Sequence, residues 1–221
     1  MEDVKAQGLI FQSTYMPLSD GNYAPLRLNR RGELVTVPLP LQLSLDGRVF
    51  VANVGTASTP VNFAETAYDA DQPQFVIDVP SGKTALPLNI KVVLETSAGT
   101  LNEIIVGSAA ALVGAGTSTA VTAKNLTATQ PNASGCTVRS LYTGDGTDIT
   151  ALASYVEWAR GAQPIVGTAE NHPEWEWNAL KAGFMPVLVG PASLAVWILG
   201  ASTAPTGYLT AVWAELDSAQ A

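Results

Sequence analysis

Leu194-Ala-Val-Trp-Ile-Leu199 and Tyr208-Leu-Thr-Ala-Val-Trp-Ala-Glu-Leu216 are apolar runs set either side of Ser202-Thr-Ala-Pro-Thr-Gly207. Apolar runs split by a connector of Ser, Thr, Pro and Gly read as two strands joined by a loop, and the expectation is that they pair with each other. The second run alternates. Successive side chains of a strand point to opposite faces, so Leu209, Ala211, Trp213 and Glu215 share one face, and Tyr208, Thr210, Val212, Ala214 and Leu216 the other. Aromatic side chains bury large apolar areas. Trp197, Trp213, Tyr208 and the upstream Phe184 are therefore the structural or interface candidates of this region.

Upstream, Phe75-Val-Ile-Asp-Val79, residues 86–95 and residues 101–107 form three apolar runs, split by Pro80-Ser-Gly82 and Ala98-Gly99. Turn signals about ten residues apart are the mark of a sandwich or barrel. Residues 121–129 and 136–142 are further strand candidates. Residues 149–161 fit either a helix, through Ile149, Leu152, Val156 and Ala159, or a strand, through Tyr155-Val-Glu-Trp158; the β context favours the strand. In Glu174-Trp-Glu-Trp177 alternation puts the two tryptophans inward and the two acids in water.

The first part of the chain reads differently. Gly8-Leu-Ile-Phe11 and Thr14-Tyr-Met-Pro-Leu18 are apolar patches without a sustained period, suited to an arm that packs on a neighbouring subunit. Tyr23-Ala-Pro-Leu-Arg-Leu28, Asn29-Arg-Arg-Gly32 and Glu33-Leu-Val-Thr-Val37 predict a β-hairpin. Pro38 and Pro40 interrupt any ladder, so residues 39–45 are expected to be an edge segment or connector. Arg48-Val-Phe-Val-Ala-Asn-Val54 follows as a strand. The expected organisation is an arm and hairpin over 1–54, a loop over 55–73 and a β body over 74–221.

At 221 residues the chain can bury a sizeable core. Only 14% of it is charged and 47% is apolar, against roughly 25% charged in an average soluble protein. Such a surface is expected to be covered in part by other subunits. The net charge of −8 argues against a phosphate-binding surface, and the Arg27, Arg30 and Arg31 cluster lacks the aromatic interleaving of a nucleic-acid face. No window is apolar enough to span a membrane. The start Met1-Glu-Asp-Val-Lys5 lacks the basic and apolar regions of a signal peptide, which implies synthesis in a cytoplasm.

No constellation of residues predicts catalysis, a cofactor or a metal. The single cysteine, Cys136, reads as a small apolar filler. Asp69-Ala-Asp71 and Gly144-Asp-Gly-Thr-Asp148 offer too few oxygens for a calcium loop and read as solvated turns. Glu170, His172 and Glu174 surround the only histidine, but one imidazole without a second strong ligand is weak ground for a metal or for acid–base work.

Three stretches carry a resemblance. They are Asp20-Gly-Asn-Tyr-Ala-Pro-Leu-Arg-Leu-Asn-Arg-Arg-Gly-Glu-Leu-Val35, Phe75-Val-Ile-Asp-Val-Pro-Ser-Gly-Lys-Thr-Ala-Leu-Pro-Leu88, and the closing Ala195-Val-Trp197 with Gly207-Tyr-Leu-Thr-Ala-Val-Trp-Ala-Glu-Leu216. The chain resembles jelly-roll virion structural proteins of bacterial viruses. The resemblance implies an eight-stranded antiparallel sandwich that assembles into trimers or larger rings on a capsid, with no catalytic residues to carry over. The expected role is a shell or capsid-decoration subunit of a virion, acting through inter-subunit packing and an N-terminal arm, with other capsid proteins as partners. The alternative is a fibre or receptor-binding module that stacks host glycans on exposed aromatics such as Trp175 and Trp177.

Overall fold

The computed structural model describes residues 39–63, 67–96, 102–127, 132–144, 146–163, 174–200 and 204–218. The expected arm, the hairpin over 23–37, Glu170 and His172 lie outside the described residues. In chain order the elements begin with a short helix, α1 (Leu39–Leu45), followed by β1 (Val49–Val54), β2 (Val61–Asn62), β3 (Phe75–Val79), β4 (Lys83–Thr96) and β5 (Asn102–Ala109). Next come β6 (Thr119–Ala120), β7 (Lys124–Asn125), β8 (Thr137–Ser140), β9 (Val156–Gln163) and β10 (Glu174–Asn178). A one-turn helix, α2 (Ala179–Ala182), leads to β11 (Leu188–Val189), β12 (Ala192–Gly200) and β13 (Thr206–Asp217).

The strands form two antiparallel sheets. One runs β10-β4-β13-β1-β7, with β11 on β4 and β2 on β13; the other runs β6-β8-β3-β12-β5-β9. Eight long strands carry the topology. β1 pairs β13, β3 pairs β12, β4 pairs β10 and β5 pairs β9. These are the rungs of one long hairpin whose bend lies between β5 and β9. Two further pairings, β13 on β4 and β12 on β5, roll that hairpin into two facing sheets. A ribbon rolled in this way is the connectivity of a jelly roll.

The two opening runs are strands, but they do not pair with each other. β12 lies between β3 and β5 in one sheet, and β13 between β4 and β1 in the other. The chain crosses the sandwich between Gly200 and Thr206. A Ser/Thr/Pro/Gly connector serves a crossing as well as a hairpin, so composition alone does not choose between them. The burial patterns show the difference in role. All nine residues of β12 are buried, because both its faces are covered. On β13, Gly207, Leu209, Ala211 and Trp213 are buried while Thr206, Tyr208, Thr210 and Val212 are half-buried, as the alternation predicts.

The main core fills the space between the sheets. Leu194, Val196 and Ile198 of β12 meet Leu209, Ala211 and Trp213 of β13 there, with Phe50, Phe63, Phe75, Val92 and Leu94. A second cluster lies behind β12. Ala195, Trp197 and Leu199 point away from the main core and are covered by Val113, Tyr142, Ile149 and half-buried Tyr155. The third cluster gathers Leu43 of α1 with Val49, Leu86 and Ala214.

Several expectations need correction. Residues 39–45, expected as an edge segment or a connector, form a short helix rather than an extended edge. Pro40 sits in the first turn, where a missing N–H costs nothing. The Ser44 hydroxyl donates to the Pro40 carbonyl at 2.9 Å, and Gly47 at φ 67° turns the chain into β1. The boundary at 54 does not separate an appendage from the body, because β1 is paired along all six of its residues with β13. Nor is 55–73 merely loop: β2 extends the first sheet and Phe63 is fully buried. Of the strand expected over 121–129, among the described residues only Lys124 and Asn125 are strand, paired with β1; the Asn125 side chain also donates to the Gly47 carbonyl and accepts from the Thr127 N–H. Within 149–161 the strand begins at Val156, after a turn.

Candidate interaction surface

The four aromatic candidates have separate fates. Trp213 is fully buried between the sheets and stacks on Phe50 at 6.2 Å. Its indole N–H donates to a carboxylate oxygen of Glu215 at 2.8 Å. Glu215 is itself buried, and its carboxylate also accepts from the Gly135 N–H at 2.7 Å and from the Ser134 hydroxyl. The carboxylate thereby ties the 134–136 loop to β13. Trp197 is fully buried on the other side of its sheet, edge-on to Tyr155, and donates to the Asp69 carbonyl at 3.0 Å. These two tryptophans belong to the interior. Tyr208 is half-buried on the outer face of its sheet, its ring against Gly55. Phe184 alone is exposed, at 48%.

Phe184 leads to the surface of interest. Seven of the twelve large apolar side chains exposed among the described residues lie on α1, on α2 or just after it: Leu39, Leu41, Leu45, Leu180, Phe184, Val187 and Val189. Single exposed apolar residues are ordinary, but a concentration of them is not. Local chemistry builds the site. Asn178 caps α2 by accepting from the Leu180 and Lys181 N–H groups, and Gly183 at φ 74° ends it with an N–H donated to the Ala179 carbonyl. With α2 held to one turn, Leu180 projects into solvent at 80% exposure. Between α1 and α2 runs an open groove of about 490 Å³, walled by Leu39, Leu43, Leu88, Leu180, Phe184 and Met185. Among the described residues no charged side chain lines it, and Asn89 and Asn178 are its polar side chains.

The acids of β10 face away into water. Glu174 pairs with Lys91 at 2.8 Å, and Glu176 pairs with Lys181 and accepts from the Asn89 amide at 2.7 Å. Trp177 is buried and Trp175 half-buried, Trp177 packing edge-on against Trp158 of β9 at 4.7 Å. The Asp69 carboxylate accepts from the Gln72 side chain. The Asp148 carboxylate accepts from the Thr150 hydroxyl and N–H, which holds its pKa below the usual range. Cys136 is buried, and burial pushes its thiol pKa up, away from reactivity. Among the described residues no three His, Cys, Asp or Glu side chains converge as a metal site.

Sequence reasoning found Phe184 but not the groove. The signal was present in Leu39-Pro-Leu-Gln-Leu-Ser-Leu45. Read with a period of two it is a strand face; read as a helix it is apolar on two sides, and only Leu43 of its four leucines is buried. Comparison with protein-family models, with curated proteins and with solved structures finds no match.

Proposed function

We propose that this chain is a non-enzymatic structural subunit of a bacterial-virus virion, a shell or capsid-decoration protein that works by packing against copies of itself and against other capsid proteins. The observation that carries the reading is the apolar shelf of α1, α2 and β11, exposed among the described residues, on a chain of which only 14% is charged. A shelf of this kind suits a subunit that buries surface on its neighbours. The jelly-roll connectivity supports the same reading, though folds of this kind host many roles. The glycan-binding alternative relied on exposed aromatics such as Trp175 and Trp177, and neither of these two is exposed.

Size-exclusion chromatography with light scattering tests the reading. A homo-oligomer is expected at micromolar concentration, with Leu45→Asp, on the exposed side of α1, shifting it toward monomer while the fold is kept. A strictly monomeric wild-type protein that also fails to associate with capsids would overturn the proposal.

A further inference from the structure

The groove between α1 and α2 is concave, apolar and open at one end of the described chain. Leu39, the first described residue, forms part of its wall together with Pro40. Thirty-eight residues precede Leu39, and they include Leu9-Ile-Phe11 and Tyr15-Met-Pro-Leu18. From Ala6 to Ser19 that segment carries no charged side chain, and neither does the lining of the groove. A trough fits an extended chain better than it fits the flat face of a folded copy.

We propose that the groove is the seat of the Leu9–Leu18 stretch of the same chain. Sequence reasoning alone sends this stretch to a neighbouring subunit; the position of the groove redirects it. The segment is rooted in the wall of its own groove, so it meets that groove at an effective concentration of ~1 mM, whereas other copies compete at micromolar concentration. A turn at Asn29-Arg-Arg-Gly32, expected from the sequence, would double the chain back and bring Leu18 toward Leu39. Seated there, the stretch covers Leu180, Phe184 and Met185 and leaves Leu41 and Leu45 on the other side of α1 for a partner. The proposal is independent of the virion reading, because it holds for a monomer as well as for an oligomer.

A disulfide trap tests it in the full chain. In a Cys136→Ala background, Phe11→Cys is combined with Leu180→Cys in the groove wall, or with Leu152→Cys on a distant turn as control. The expected result on mild oxidation is an intrachain Phe11–Leu180 link that forms well ahead of the control. Links found only between chains, in a mixture of isotopically distinct copies, would overturn the proposal, and so would linking no faster than the control. A second measurement uses the otherwise unmodified chain and needs no cysteine variants. Met185 lines the groove, so its oxidation to the sulfoxide by peroxide should accelerate severalfold in Phe11→Asp. An unchanged rate would overturn the proposal even if the cysteine variants did not fold.

Discussion

Trp213 shows how one side chain can serve both packing and polarity. Its rings fill the space between the sheets, and its single N–H is satisfied by a carboxylate that is buried with it. Replacing it with Ala removes the largest type of side chain from the core, and Trp213→Ala is expected to destabilise the fold by about 3–5 kcal/mol. Urea unfolding followed by circular dichroism measures the cost. An unchanged midpoint would show that Trp213 lies outside the cooperative core. Tyr142 gives a second prediction at this scale. It is fully buried, and burial, with the Asp78 carboxylate as a smaller influence, pushes its pKa up to about 12. The unfolded tyrosine titrates near 10. Between those values the native state holds a proton that the unfolded state has lost, so this stability is complete below about pH 10 and disappears as pH rises through about 12. Tyrosinate absorbance should show a late-titrating step that Tyr142→Phe removes. A second late step is expected from Tyr155, which is held in the same way, by burial first.

At the scale of elements, pairing decides persistence. β13 is hydrogen-bonded on one side to β4 along its whole length and on the other to β1. β9 and β10 each lie at the edge of a sheet. Amide exchange is therefore expected to be slowest in β13 and β12 and faster in β9 and β10, read by hydrogen–deuterium exchange with mass spectrometry. Equal rates across these strands would show that edge and centre open together. The two edge strands are joined by aromatic contact rather than by a ladder. Trp158 meets Trp177, and Trp175 lies so close over Gly161 that a Cβ there would stand 2.1 Å from the ring. Much of this was legible in the sequence. The alternation of 208–213 gave the correct faces, and the apolar run of 194–199 was legible as a strand, though not as one buried on both faces. What could not be read was the partner of each strand. Alternation reports which side is buried and says nothing about which neighbour supplies the hydrogen bonds. The helix α1 was hidden for a related reason: seven residues are too few for a period of two to be told from 3.6 when four of them are leucine.

At the scale of the whole molecule, the distribution of charge matters more than its total. The described ion pairs, such as Lys83–Asp217 and Lys91–Glu174, are solvent-exposed and contribute little to stability. The apolar shelf draws on leucine, valine and phenylalanine side chains instead. An assembly built on it should persist at roughly 1 M salt, where charge interactions reach only ~3 Å. Dissociation on adding salt, followed by light scattering, would point to a charged interface instead. The shelf was the part of the candidate site that the sequence concealed, because exposure belongs to tertiary structure. Phe184, Leu180 and Leu39 are unremarkable apolar residues until α1 and α2 are placed side by side.

The position of β13 also bears on how the chain is made. It lies between β1 and β4 and is the last of the strands to leave a ribosome. Until it emerges, β1 has no long neighbour and β4 lacks its most extensive one. The first sheet therefore cannot close during synthesis and must wait for residues 206–217, which join β1 partners 155 to 165 positions earlier, from Val54 with Leu209 to Val49 with Ala214. Contacts so distant along the chain form slowly. The nascent protein accordingly spends its growth with unpaired strand edges open to its surroundings, a period in which a crowded translation site favours association between incomplete copies.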